Sequence, residues 1–122
     1  MQMTFQVSGV QKPLASVKRI LEKGNIVVFG SGEGKSYIQN EKSGDKILMR
    51  PNGKGSYMME LKFENGEITE VTVDSGAEES VCPRWWGQQY GLRPAKVWMN
   101  LNGAGGHDLG HYGQTTVLLS PF

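Results

Sequence analysis

Thr4-Phe5-Gln6-Val7 alternates polar and apolar residues, the period of a half-buried strand, and Ser8-Gly9 closes it. Beyond Pro13 the period changes. Leu14, Val17, Ile20 and Leu21 share one helical face, Pro13 suits a first helical position, and Gly24-Asn25 supplies a stop, which predicts a helix over 14–22. Ile26-Val27-Val28-Phe29 is apolar and rich in β-branched residues, the mark of a buried strand. Tyr37–Asn40 and Lys46–Met49 then read as a hairpin around Ser43-Gly44-Asp45. Ser56–Phe63 and Glu67–Val73 both alternate, and Asn65-Gly66 between them tolerates the positive φ of a type I′ turn. One long hairpin, Tyr57 to Val73 and ending at Asp74, is therefore expected. Farther on, Pro83–Tyr90 predicts a helical turn and Val97–Leu101 a strand. Asn102-Gly103-Ala104-Gly105-Gly106 predicts a flexible tip, and His111–Leu119 a returning strand.

Composition narrows this to one class. The 122 residues suit a single domain, and 17 glycines beside one convincing helix favour an all-β, turn-rich chain. Thirteen Lys and Arg against 12 Asp and Glu give no argument for nucleic acid or an anionic membrane. No apolar run approaches the roughly 20 residues of a spanning helix, and the opening residues lack the charged and apolar regions of a signal peptide. The single cysteine, Cys82, excludes an intrachain disulfide, so a reducing, intracellular setting is expected.

The sharpest candidate chemistry is Val71-Thr72-Val73-Asp74-Ser75-Gly76-Ala77. An apolar strand delivers a carboxylate into a tight turn, where Ser75 can donate a hydrogen bond and Gly76 permits close backbone approach. Two such aspartates held a hydrogen bond apart share one proton and can activate a water between them. The plain alternative is an ordinary β-turn. Gly103–Gly106 reads either as a flap that closes over a bound peptide or as a surface hairpin. Gly30-Ser31-Gly32-Glu33-Gly34-Lys35-Ser36 fails as a phosphate loop, because Phe29 stands where the first glycine belongs and a strand follows. His107, Asp108 and His111 lie among glycines that argue against a helical metal pair, so no metal is expected. Trp85, Trp86 and Trp98 are assigned to the core. Lys12, Lys18, Arg19 and Lys23 are assigned to a solvated helix surface.

Asp74-Ser75-Gly76-Ala77, followed by a glycine-rich hairpin, resembles the first half of retropepsins, especially the proteases of copia-type retrotransposons. A second block resembles the family's later half. It comprises Pro13-Leu14-Ala15-Ser16-Val17, Lys23 through Phe29, Ser43-Gly44-Asp45-Lys46 and Gly55-Ser56-Tyr57-Met58. The order is reversed, so 1–60 matches the family's C-terminal half and 61–122 its N-terminal half, as in a circular permutation. The family usually has glycine where Ser16 stands, although copia-type members carry serine. The resemblance implies a closed retropepsin-like β-barrel with one short helix, and a homodimeric aspartic endopeptidase acting on an extended, polyprotein-type peptide. It assigns catalysis to Asp74, Ser75 and Gly76, and substrate contacts to Ala77, Asn102, Gly103, Ala104, Gly105 and Gly106. No cofactor, nucleic acid or membrane is implied, and the setting would be the cytoplasm or a retroelement particle. The alternative is a non-catalytic peptide-binding or dimerisation module with the same fold.

Overall fold

The computed structural model describes residues 1–101 and 108–121. Its strands are β1 (Gln2–Ser8), β2 (Leu14–Ser16), β3 (Asn25–Val28), β4 (Ser36–Asn40) and β5 (Lys46–Pro51), then β6 (Tyr57–Phe63), β7 (Ile68–Asp74), β8 (Val81–Pro83) and β9 (Gly113–Pro121). Two short helices, α1 (Val17–Glu22) and α2 (Arg84–Gln89), complete the described elements. The all-β expectation holds, with two helices where one was expected.

The strands run β3-β4-β5-β6-β7-β2-β8-β1-β9, and β6 also pairs with β9. That last pairing closes β6, β7, β2, β8, β1 and β9 into a six-stranded barrel, while β3, β4 and β5 extend outward as a side sheet. Closure removes open edges from the barrel. Two of its pairings are parallel: β1 with β8, where Val7 meets Cys82, and β2 with β7, where Ser16 meets Asp74.

Alternation along each strand fills the interior. Phe5, Val7, Met59, Leu61, Val71 and Leu119 are essentially inaccessible to water. Trp86 of α2 packs edge-on to Phe5 at 4.9 Å and lies 5.4 Å from Phe63, which stacks on Tyr90 at 4.0 Å. An added Cβ at Gly87 would lie 2.6 Å from a methyl of buried Val7, so glycine lets α2 seat directly on β1.

Several sequence expectations need correction. Leu14–Ser16 is a strand rather than the first helical turn, because β7 and β8 flank it and take its backbone groups. Ser16 then caps α1, its Oγ accepting from the Arg19 amide at 3.3 Å. The Tyr57–Val73 hairpin forms, with Tyr57 opposite Val73, but its turn is not type I′. Asn65 keeps a negative φ and only Gly66, at +89°, is left-handed. The three-residue loop with a terminal left-handed glycine is the turn that commonly ends in a bulge. In β3 only Asn25 is buried, and Ile26 is 39% exposed, because β3 is an outermost strand. Val97–Leu101 is not a strand. Trp85 and Trp98 lie at the surface, 59% and 61% exposed, leaving Trp86 as the core tryptophan. The glycine loop before Ser36 does lead into a strand, and the Ser36 hydroxyl closes it on the Gly30 backbone.

Candidate active site

β7 is buried at Val71, Thr72 and Val73 and surfaces at Asp74, so the barrel itself carries the carboxylate to its rim. There Asp74 Oδ1 accepts a hydrogen bond from the Gly76 amide at 2.8 Å, closing an Asx turn. Ser75 and Gly76 are exposed. The Ser75 hydroxyl forms no hydrogen bond with a described residue of this chain. A Cβ on Gly76 would approach only Asp74 Oδ1, at 3.4 Å, an ordinary contact. Among the described residues of one copy, nothing demands glycine at that position.

The loop that follows is anchored from behind. The parallel pairing of β2 with β7 sets Ser16 next to Asp74, and Ser16 Oγ donates to the Ala77 carbonyl at 2.7 Å. The Ser16 amide donates to Ser80 Oγ at 2.9 Å. Arg19 of α1 forks onto Glu79, with Nε at 3.1 Å from Oε2 and Nη2 on Oε1, and also reaches Glu22 at 2.8 Å. Lys18 meets Glu78 at 3.0 Å. These contacts are unequal. The Lys18–Glu78 side chains are 55% and 84% exposed, which leaves that pair worth little after screening. Glu79 is only 17% exposed and is gripped bidentately, so it provides the main anchor. Arg19 is thus more than a solvated helix face: it ties the Asp74 loop to α1, whereas Lys18 stays on the exposed surface.

Asp74 and Ser75 open into a cleft of about 150 Å³, shared with Phe29, Gly55, Ser56, Tyr57 and Val73. Phe29 and Tyr57 pack at 4.9 Å between ring centroids and form its apolar wall. Sequence reasoning missed both. Tyr57 could have been found, because the hairpin register sets it opposite Val73, one residue before Asp74. Phe29 gave no such signal. A space of this size accepts one side chain rather than a peptide, since ligand clefts run to roughly 300–1,000 Å³. A larger cavity of about 350 Å³ lies between the start of β1, α1 and residues 96–99. It touches the loop at Glu79 and Ser80 but does not include Asp74, so the carboxylate chemistry belongs to the smaller cleft.

Asn102, Gly103, Ala104, Gly105 and Gly106, expected to cover a substrate, lie outside the described residues, as does His107. The limbs flanking them are joined. The Leu109 amide donates to the Leu101 carbonyl at 2.8 Å, and the Met99 amide donates to His111 Nδ1 at 3.1 Å. Because Nδ1 accepts, His111 carries its proton on Nε2 and gives it to Gln6 Oε1 at 2.8 Å. Trp98 packs edge-on against the same ring at 5.0 Å. Cys82 is fully enclosed, and burial pushes its thiol up to about 12, the opposite of an activated nucleophile.

Comparison with protein-family models, curated proteins and solved structures gave no match.

Proposed function

We propose that this chain is an aspartic endopeptidase of the retropepsin type, patterned like copia-type retrotransposon proteases, with the family's two halves in permuted order. The observation that carries the reading is Asp74. It stands at the end of a buried barrel strand with its turn anchored from behind, and one of its oxygens is held by the Gly76 amide. In a homodimer, two such carboxyl groups share a proton and hold a water. One acts as general base toward that water while the other protonates the carbonyl oxygen of the scissile peptide. The exposed Ser75 hydroxyl and uncrowded Gly76 are free to meet the opposite loop. Ala77 and the 102–106 segment would contact the substrate, an extended polyprotein-type peptide. One chain has one such loop, so the reaction requires two-fold symmetry.

Asp74→Asn keeps the size and hydrogen-bonding shape of the side chain. It is expected to reduce peptide cleavage by about a thousandfold or more, with an unchanged circular-dichroism spectrum. Undiminished turnover by that variant would refute the assignment.

One observation favours the rival reading, a non-catalytic peptide-binding or dimerisation module. Val97–Leu101 does not form the strand that a covering hairpin would use. Peptide capture by the wild-type chain without cleavage, at any pH, would favour that reading.

A further inference from the structure

Asn40, Asn52 and Asn65 each fold their side chains back onto backbone amides that follow them. Asn52 Oδ1 accepts from the Lys54 amide at 2.7 Å and the Ser56 amide at 3.1 Å. Asn40 Oδ1 accepts from the Lys42 and Ser43 amides at 3.0 and 2.9 Å, and Asn65 Oδ1 from the Glu67 amide at 2.9 Å. The next residue separates the three. After Asn40 it is Glu41, whose side chain crowds its own nitrogen and whose amide donates to the Gly24 carbonyl at 3.0 Å. After Asn65 it is Gly66, whose amide donates to the Phe63 carbonyl at 3.0 Å. After Asn52 it is Gly53, which is exposed, lacks a Cβ, and has no acceptor for its amide among the described residues.

We infer that Asn52-Gly53 is a self-modification site, at which Asn52 converts to isoaspartate and aspartate without an enzyme. The Gly53 nitrogen gives its proton to solvent base and attacks Asn52 Cγ. The new N–C bond replaces the Cγ–Nδ2 bond, and Nδ2 leaves as ammonia after taking a proton from water. Attack places negative charge on Oδ1, where the Lys54 and Ser56 amides already lie at the distances of an oxyanion hole. Water then opens the succinimide ring. Opening at Cγ yields aspartate, and opening at the main-chain carbonyl yields isoaspartate, whose backbone is longer by a methylene. Asn40 has the two donors but a hindered, occupied nitrogen; Asn65 has the glycine but a single donor and an occupied nitrogen. Asn52 combines both requirements. Its own amide also donates to the Ser56 carbonyl at 2.9 Å, so this residue closes the 52–56 loop, and Gly55, Ser56 and Tyr57 line the Asp74 cleft. Conversion adds a negative charge to that loop, and the isoaspartyl form displaces the clamp on Ser56. The chemistry needs only the loop; its effect on cleavage rests on the proposed function.

The full chain is held folded at mildly alkaline pH, and separately in urea at the same pH. It is then digested with trypsin and followed by mass spectrometry and an isoaspartate-specific methyltransferase assay. Asn40, Asn52 and Asn65 fall on separate tryptic peptides, 36–42, 47–54 and 63–84. In the folded chain Asn52 should convert about tenfold or more faster than Asn65, with Asn40 slower still. In urea Asn52 and Asn65 should converge, since both precede glycine. Equal rates in the folded chain, or faster conversion of Asn52 in urea than in the folded chain, would overturn the inference. Fresh and aged wild type are then compared for peptide cleavage. A loss that tracks the isoaspartyl fraction ties the loop to the Asp74 cleft, and unchanged cleavage at full conversion refutes that tie. A chain that converts at Asn52 but never cleaves counts against the Asp74 reading alone.

Discussion

The barrel contains two units built alike: β1, β2 and α1 in one, β7, β8 and α2 in the other. Each runs strand, turn, short strand, helix, and each long strand pairs in parallel with the other unit's short strand. The Gln6 amide donates to the Ser80 carbonyl at 2.8 Å, and the Thr72 amide donates to the Pro13 carbonyl at 3.2 Å, matching bonds on opposite sides. Ser8 ends β1 where Asp74 ends β7. Their fates differ. Ser8 is wholly buried and its hydroxyl donates to the Gly110 carbonyl at 2.9 Å. The turn beyond it is blocked, since the Gly9 amide bonds the Leu109 carbonyl and a Cβ there would lie 2.7 Å from that oxygen. Asp74 faces an open cleft, its carboxylate making one hydrogen bond among the described residues. The same backbone device thus closes the molecule at one end of the pair and presents a carboxylate at the other.

Exchanging the two fates gives the largest expected contrast. Asp74→Asn should remove activity and spare stability, while Ser8→Ala should spare cleavage and cost about 1–2 kcal/mol by denaturant unfolding, because the Gly110 carbonyl loses its donor.

The helices differ as well: α2 delivers Trp86 into the core and α1 delivers Ile20. Trp86→Ala should cost about 3–5 kcal/mol by thermal or urea unfolding, through lost transfer energy and a cavity between Phe5 and Phe63.

Ser16 caps α1 and holds Ala77, whereas Pro83, its counterpart before α2, makes no side-chain cap. Ser16→Ala should therefore cost about 1–2 kcal/mol and also depress kcat, because it frees the Asp74 loop. An unchanged kcat would show that the loop needs no such support.

The smallest effect concerns Cys82, which lies in β8 where Ala15 lies in β2. Its thiol is pushed from 9.0 up to about 12 by burial. Below pH 9 both folded and unfolded thiols hold their protons and the group contributes nothing to pH dependence. Between pH 9 and about 12 only the unfolded chain releases the proton, so stability declines as pH rises. Cys82→Ala should flatten that decline, and at pH 8 the native thiol should react with a disulfide reagent far more slowly than the urea-unfolded one.

Local rules made part of this molecule legible. Alternation on both sides of Asn65-Gly66 located the β6–β7 hairpin, and with it the delivery of Asp74, while the turn type escaped. Contacts between distant segments escaped. Leu14–Ser16 carries a helical pattern, yet β7, far along the chain, draws it into a strand. Val97–Leu101 has an apolar pattern but forms no strand; Met99 bonds the His111 ring and Trp98 packs on it instead. The Arg19–Glu79 anchor joins residues that no periodicity connects.

The most direct test mixes subunits. A fixed amount of wild-type chain is equilibrated with increasing Asp74→Asn chain, and cleavage is followed. Because an active site needs Asp74 from both partners, activity should fall to about half at equal amounts and continue downward as mixed dimers replace wild-type pairs. Activity that stays constant while mixed dimers demonstrably form would contradict a shared dyad.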